Sequence, residues 1–329
     1  MRVLIVKLSS LGDVVHAMPV VHDIRAAHPD AAIDWVVEPG FAPLVRRVDG
    51  IGDVIECALR RWSKGWWTSG VRREWRAFRS RLRQTSYDAI IDLQGLTKSA
   101  LITRMARGRR YGLANRTDGA SHEPPARWLV DEAIRIEPRT HALDRSRELV
   151  ARALGHALPG PPVFGLRALS IRHGGPPVVA FVHGTSRDDK LWPEADWIAL
   201  GRRVIGAGWR VALPQGGGAE LARAERLAAV LGDAAEVWPT LPLDAIVDRL
   251  GACDGVIGVD SGLSHIAVAL DLPHVQLYNF PTSWRTGPQP QHGHRYQVSV
   301  EGDPMPTLDA VWAAWNTVLQ ARQTPVVRS

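Results

Sequence analysis

Three short stretches of this chain bring hydroxyl, carboxylate and cationic side chains together with glycine at spacings suited to a phosphorylated ligand. The first is SSLGDVVHAMP, from Ser9 to Pro19. It follows an apolar run and offers Ser9, Ser10, the backbone of Gly12 and the carboxylate of Asp13. Asp13 reads two ways: as a first-turn acid stabilising a helix N-terminus by roughly 0.3–1 kcal/mol, or as a general base toward a hydroxyl. The second stretch, GTSRDDKLWP from Gly184 to Pro193, provides the Thr185 and Ser186 hydroxyls to hold phosphate oxygens and Lys190 to neutralise a departing diphosphate. Its plainer reading is a capped turn in which Lys190 balances Asp188 and Asp189. Neighbouring carboxylates on a helix diverge, which argues against a metal there. The third stretch is GVDSGLSHIAVAL, from Gly258 to Leu270. Gly262 permits close backbone approach, and the helix after it can aim free N–H groups and its positive end at an anion. Asp260, Ser261 and His265 would surround that anion, although a lone histidine on such a helix is more often a structural hydrogen-bonder.

These stretches exclude two common chemistries. Ser264 beside His265 lacks the final glycine of a GxSxG nucleophile elbow, which argues against a serine hydrolase. The Ser9–Pro19 loop has one glycine where a dinucleotide fingerprint needs three, which argues against an NAD-dependent oxidoreductase.

The flanking sequence supplies what must position the loops. Arg2 to Leu8 is a β-branched run of the kind buried in a parallel sheet, and a helical apolar pattern follows through Val14, Met18, Val21 and Ile24 to Pro29. Ala32–Val37, Ala89–Leu93 and Arg110–Leu113 read as further strands, and Trp75, Phe78 and Leu82 line one face of an amphipathic helix. Pro and Gly crowd Leu158 to Pro177, the best linker. A second cycle then runs through a strand at Val178–His183, a helix at Trp197–Ala207, a strand at Arg210–Pro214 and a helix at Glu220–Leu231. It continues with a strand at Gly255–Val259 and a helix at Leu263–Leu270, and Thr307 can cap a final helix. The alternation predicts an α/β chain of two doubly wound halves facing a central cleft, with boundaries at 1–160 and 161–329.

Length and charge sharpen this division. At 329 residues the chain exceeds what one core usually serves. Cys57 and Cys253 are far apart and belong to no CxxC pair, so neither a disulfide framework nor a thiolate zinc site is expected, consistent with a reducing cytoplasm. The N-terminal apolar run is interrupted by Lys7 and Asp13, so neither a signal peptide nor a membrane span is expected. Met1 to Gly160 carries 26 basic and 18 acidic residues, or +8, against a whole-chain net charge of +6. The excess is concentrated in Arg60 to Arg83, where nine basic residues and the single acid Glu74 are interleaved with Trp62, Trp66, Trp67, Trp75 and Phe78. Only four of the 40 basic residues are lysines, Lys7, Lys64, Lys98 and Lys190, so arginine abundance by itself signals little.

Taken together, KLSSLGDVVHAMP, IDLQGLTKSA, GTSRDDKLWP and GVDSGLSHIA resemble the ADP-heptose:lipopolysaccharide heptosyltransferases of glycosyltransferase family 9, in the family's order and from Arg2 to about Leu319. The RDDKLWP element resembles the first rather than the second heptosyltransferase of that family. The resemblance implies a GT-B fold with two Rossmann-like domains, the N-terminal one binding acceptor and the C-terminal one binding ADP-sugar, with the last helix (about 307–322) returning to the first. It implies inverting transfer of L-glycero-D-manno-heptose from ADP-heptose to the inner Kdo of Kdo2-lipid A. Asp13 would be the general base, Thr185, Ser186 and Lys190 would hold the diphosphate, and Asp260, Ser261, Gly262 and His265 would hold heptose and phosphate. Glu220 would take the adenosine ribose; a segment around Leu241, expected to pack on adenine, aligns weakly. No cofactor or obligatory metal is implied.

The basic segment suits a polyanionic acceptor at the inner leaflet, where each basic residue contributes about 1 kcal/mol. Arg60, Arg61, Lys64, Lys98, Arg116 and Arg139 join Ser9, Ser10 and Gly12 as acceptor contacts, with Trp62, Trp66 and Trp67 entering the headgroup region. The expected location is the cytoplasm, peripherally associated with the inner face of the inner membrane, with no nucleic-acid partner. The alternatives are a second heptosyltransferase, another ADP-sugar transferase, or a non-catalytic basic module binding nucleic acid or membrane.

Overall fold

The computed structural model describes residues 1–169, 174–294 and 296–323. The chain divides into two compact units, Met1–Arg167 and Ala168–Ser329. The boundary therefore lies inside the Pro/Gly-rich stretch, slightly beyond the expected division after Gly160.

The first unit is a parallel sheet of six strands: β1 (Arg2–Val6), β2 (Ala32–Val37), β3 (Ile51–Glu56), β4 (Ser86–Asp92), β5 (Arg107–Leu113) and β6 (Glu132–Ile134). Their order is β3-β2-β1-β4-β5-β6. The central strand β1 is buried from Val3 to Val6, as its β-branched sequence demands of a strand covered on both faces. Val3 is in register with Ile33 on one side and Ala89 on the other. One core cluster joins Leu4 and Val6 to Trp62, Val71, Phe78, Leu82 and Ile102. Helices Leu59–Gly65, Ser69–Gln84 and Thr97–Thr103 therefore cover one face of this sheet. The expected single helix from Val14 to Pro29 is instead two, Leu11–Ala17 and Pro19–Ala27, because Pro19 cannot continue the first and opens the second. Both contact helix Ala142–Leu154, whose buried Arg147 grips buried Asp23 through Nε at 2.7 Å and Nη2 at 2.9 Å.

The second unit repeats the plan. Its strands are β7 (Val178–Val182), β8 (Arg210–Leu213), β9 (Ala235–Val237), β10 (Gly255–Val259), β11 (His274–Tyr278) and β12 (Gln297–Glu301), all parallel, in the order β12-β11-β10-β7-β8-β9. Its first strand again sits between its second and fourth, as in the first unit. In each, the winding reverses between the first and fourth strands, and ligands of open α/β sheets bind at the carboxyl ends of the strands beside that reversal. The core here packs Phe181, Ile257 and Leu277 with Trp192, Trp197 and Trp315.

The final helix, Leu308–Gln323, is capped by Thr307, whose hydroxyl accepts from the Ala310 N–H at 3.3 Å. It packs on β11, β12 and helix Glu194–Gly206 and buries Trp315 in the second unit's core. It is thus grouped with the second unit. The physical reason is close packing: a Cβ on Gly255 would lie 2.4 Å from the Trp315 ring. No helix among the described residues is long and apolar enough to cross a membrane.

Candidate functional site

At the reversal of the first sheet, Asp13 is both cap and candidate base. Its Oδ2 accepts from the Ser10 N–H at 3.1 Å and the Ser10 hydroxyl at 2.9 Å, closing a capping box. Its Oδ1 faces Lys7 Nζ at 3.5 Å and Arg145 Nη2 at 4.0 Å. Desolvation pushes the Asp13 carboxyl up, but Lys7, the Ser10 hydroxyl and Arg145 together hold it below the ordinary carboxylate value. Asp13 is therefore ionised at neutral pH, as a proton acceptor must be. Lys7 is buried, donates to the Leu93 carbonyl at 3.2 Å, and is lowered from the ordinary amine value by desolvation.

Asp92, at the end of β4, is 1% exposed and accepts from the Gln94 N–H, the Gly95 N–H and the Ser99 hydroxyl. Burial still raises its carboxyl to about 6. Gln94 Oε1 accepts from the Leu8 and Ser9 N–H groups at 3.1 and 3.2 Å, fixing the loop that carries Ser9, Ser10 and Gly12. Lys7, Asp13, Gln94 and Arg145 line a small pocket of about 90 Å³ with Gly119, Ala120 and Ser121. Of this set only Asp13 was expected to act. Lys7 had a signal, being a lysine inside an apolar strand, and Asp92 and Gln94 lie in the IDLQGLTKSA motif without having been given a role, whereas Arg145 had no signal.

The expected acceptor contacts fall into separate groups. The Arg60 N–H donates to Glu38 Oε1 at 3.2 Å, and Arg60 and Lys98 both offset the burial that raises the Glu38 carboxyl. Those two and the exposed Lys64 thus belong to the carboxyl end of the first sheet. Arg61 is instead tied to Glu74, and Arg116 and Arg139 are exposed on the loops flanking β6. Trp66 and Trp67 are exposed, at 49% and 73%, but Trp62 is buried. Its ring lies against Trp75 and Phe78, and its Nε1 donates to Glu74 at 2.9 Å. That corrects the expectation that Trp62 enters a headgroup region.

The second unit builds a cation–carboxylate cluster at its own reversal. Lys190 Nζ donates to Asp260 Oδ2 at 2.5 Å, and His265 Nε2 lies 3.3 Å from Asp260 Oδ1. Burial raises the Asp260 carboxyl, but His265 and Lys190 outweigh it and hold Asp260 far below the ordinary range. Thr185 donates to the Asp260 carbonyl at 3.2 Å, while Ser186 is exposed. The direct ion pair of Lys190 is thus with Asp260, while Asp189 is paired with Arg187 and feels Lys190 only as a weaker, more distant charge.

Ser261 occupies the N-cap position of helix Gly262–Ala269, but its buried Oγ makes no capping bond and has no hydrogen-bond partner among the described residues. An orphaned hydroxyl at a helix N-terminus is suited to a polar ligand atom. Ser264 is purely structural, donating to the Val259 carbonyl at 2.6 Å. Glu220 accepts from the Gly216 N–H at 2.8 Å and lies so near Gly184 that a Cβ there would sit 2.5 Å from its carboxyl carbon. Asn279, which nothing in the sequence flagged, donates to the Asp189 and Leu191 carbonyls at 3.0 and 2.9 Å and pins the Lys190 loop from β11's end. Leu241 lies between β9 and helix Leu243–Ala252, beside Thr240, whose hydroxyl accepts from Gln215 at 3.2 Å.

Two Rossmann-like units with polar loops at their reversals define a glycosyltransferase of the GT-B class. The chain belongs to glycosyltransferase family 9, the heptosyltransferases, whose model matches residues 75–311. It is 41% identical over 283 residues to lipopolysaccharide heptosyltransferase 1 of Salmonella typhimurium, covering 84% of this chain and 88% of that one. Identity to lipopolysaccharide heptosyltransferase 2 of the same organism is 27% over 302 residues, covering 84% of this chain and 82% of that one. The structure of E. coli heptosyltransferase WaaC with ADP matches with a TM-score of 0.84 and 35% identity, covering 98% of this chain and 100% of the other. WaaC with ADP-2-deoxy-2-fluoro heptose matches at 0.82 and 36%, covering 95% and 98%. The protein is thus an enzyme of lipopolysaccharide heptose transfer, and the alternative of a non-catalytic basic module is set aside.

Proposed function

We propose that the protein transfers L-glycero-D-manno-heptose from ADP-heptose to the inner Kdo of Kdo2-lipid A, with inversion at the anomeric carbon. The carrying observation is the opposite character of the two reversals. One presents an ionised carboxylate held by Lys7 and Arg145; the other presents Lys190, an orphaned serine hydroxyl and a helix N-terminus.

In this reading Asp13 takes the proton from the attacking Kdo hydroxyl as the anomeric carbon–oxygen bond to ADP breaks on the opposite face. The Kdo oxygen forms the new glycosidic bond, and the electron pair leaves on the diphosphate. Lys190, Thr185, Ser186 and the N–H groups at Gly262 receive that charge. Asp260 and His265 take heptose hydroxyls, and Glu220 takes the ribose. Lys190 and the helix end supply the positive charge, so no divalent metal is required, and turnover persists in EDTA. Arg60, Lys64 and Lys98 meet the acceptor's carboxylates and phosphates. An acceptor held in a bilayer implies peripheral association with the inner face of the inner membrane.

The experiment supplies ADP-heptose with Kdo2-lipid A or with an already heptosylated acceptor, and reads the product anomer by NMR. Preferred turnover of Kdo2-lipid A with inverted configuration is expected. Preference for the heptosylated acceptor, or for another ADP-sugar, overturns the assignment.

A further inference from the structure

The basic segment from Arg60 to Arg83 has two separate ends. Helix Ser69–Gln84 leads from the end of β3 back to the start of β4, a length of about 24 Å for its 16 residues. Arg60 and Lys64 precede it at the carboxyl end of the sheet, whereas Arg83 comes three residues before Ser86, where β4 begins. Ser86 is in register with Arg107, the first residue of β5.

At that amino end, Arg76, Arg79, Arg83 and Arg107 line one shallow concavity of about 490 Å³, with Ser80 and Gln84. Residues 76, 79 and 83 are spaced i, i+3, i+7 and so share one helix face, immediately beside the stripe of Trp75, Phe78 and Leu82 that packs on the core. No carboxylate lines the concavity, and none of the four guanidiniums has an acidic partner among the described residues; Arg76 Nε donates to the Arg72 carbonyl at 3.3 Å. Their neighbours differ: Arg61 is paired with Glu74 and Arg81 with Asp53. Arginine richness alone would leave such charges spread out or paired. Here four converge and repel one another until an anion neutralises them.

We propose that Arg76, Arg79, Arg83 and Arg107 form a binding site for a phosphate-bearing polyanion, at the amino end of the first sheet, opposite the end that carries the candidate base. Guanidinium forks match phosphate oxygens in pairs, and four of them exceed what a single monoanion can satisfy, so the ligand carries at least two phosphate groups. Ser80 and Gln84 add neutral hydrogen-bonding groups along the lining, with Gln84 Oε1 also accepting from Arg81 at 3.3 Å. Two sources share this chemistry: a soluble oligophosphate, and phosphorylated headgroups presented by a bilayer. The site does not rest on the assigned roles of Asp13 or Lys190, so it stands or falls separately from them.

The test measures binding of inorganic triphosphate by calorimetry at about 0.15 M salt, where surface attraction beyond about 8 Å is screened. In parallel it measures sedimentation with phosphatidylcholine vesicles lacking or containing phosphatidylglycerol. The double variant Arg79→Gln/Arg83→Gln is compared with the charge-matched Arg135→Gln/Arg202→Gln; Arg79 is half-buried and the other three are exposed. Arg107→Gln probes the site from the strand, so that a local effect on the helix is not mistaken for lost contacts. Saturable binding that falls about tenfold or more in both site variants, and less than about twofold in the matched control, is expected. Binding of triphosphate assigns the soluble source, and binding of anionic vesicles alone assigns the bilayer. No saturable binding of either probe, or equal losses in site and control variants, overturns the proposal.

Discussion

Asp13 owes its chemistry to its neighbours. A first-turn acid with only Ser10 to hold it would be an ordinary cap; Lys7 and Arg145 on its other oxygen make it an ionised carboxylate that stays charged into mildly acidic solution. The sequence offers both readings of Asp13 and the structure combines them, since one carboxylate oxygen caps while the other faces the cations. Beneath it, Asp92 has the opposite shift, raised to about 6 by burial. An acid whose folded pKa is raised binds its proton more tightly in the native state, so its stabilising contribution is present below about pH 4 and is lost as pH rises through about 6. A shift of this size corresponds to about 2–3 kcal/mol. Urea midpoints should therefore show the wild type losing stability between about pH 4 and 6.5 relative to Asp92→Asn, whose amide does not titrate. Parallel pH curves for the two proteins would contradict the shift.

The strands that carry the site were legible because apolar residues dominate them: β1, β2, β4, β7, β8 and β10 all were, and so was the apolar second half of β5. Four others were hidden for identifiable reasons. β6 and β9 have three residues each, β3 breaks its pattern with Gly52 and Asp53, and β11 buries His274 and Gln276 within a strand. Helix Gly262–Ala269 was also legible, but not how tightly it sits. Gly258 has no room for a side chain: a Cβ would lie 2.4 Å from Ser264 Oγ and 2.7 Å from Val182 Cβ. Gly258→Ala must displace the helix whose N-terminus is assigned to the donor. It should cost about 1–3 kcal/mol in urea unfolding and weaken ADP binding. Unchanged stability and unchanged ADP affinity would show that the β7–β10 contact does not position that helix.

Across the whole chain, the repetition of one winding plan in two units explains why two polar loops arise at equivalent places and differ only in chemistry. The sequence showed the repetition, but not the strands on which the last helix packs, because Trp312 and Trp315 mark an apolar face without naming its partner. Charge is as unequal as chemistry, +8 from Met1 through Gly160 and −2 over the remainder of the +6 chain. Raising salt from about 0.05 to 0.3 M should therefore increase the apparent KM for Kdo2-lipid A several-fold more than that for ADP-heptose. Equal increases, read from paired titrations of each substrate, would remove the basic segment from acceptor recognition.

The central claim is that the first unit supplies the base, and Asp13→Asn measures it most directly because the amide keeps the carboxylate's shape and one acceptor for Ser10. The account predicts that kcat for heptosyl transfer falls by about 10²- to 10⁴-fold while ADP-heptose binds with unchanged affinity. A variant that keeps wild-type kcat while binding the donor normally would contradict it.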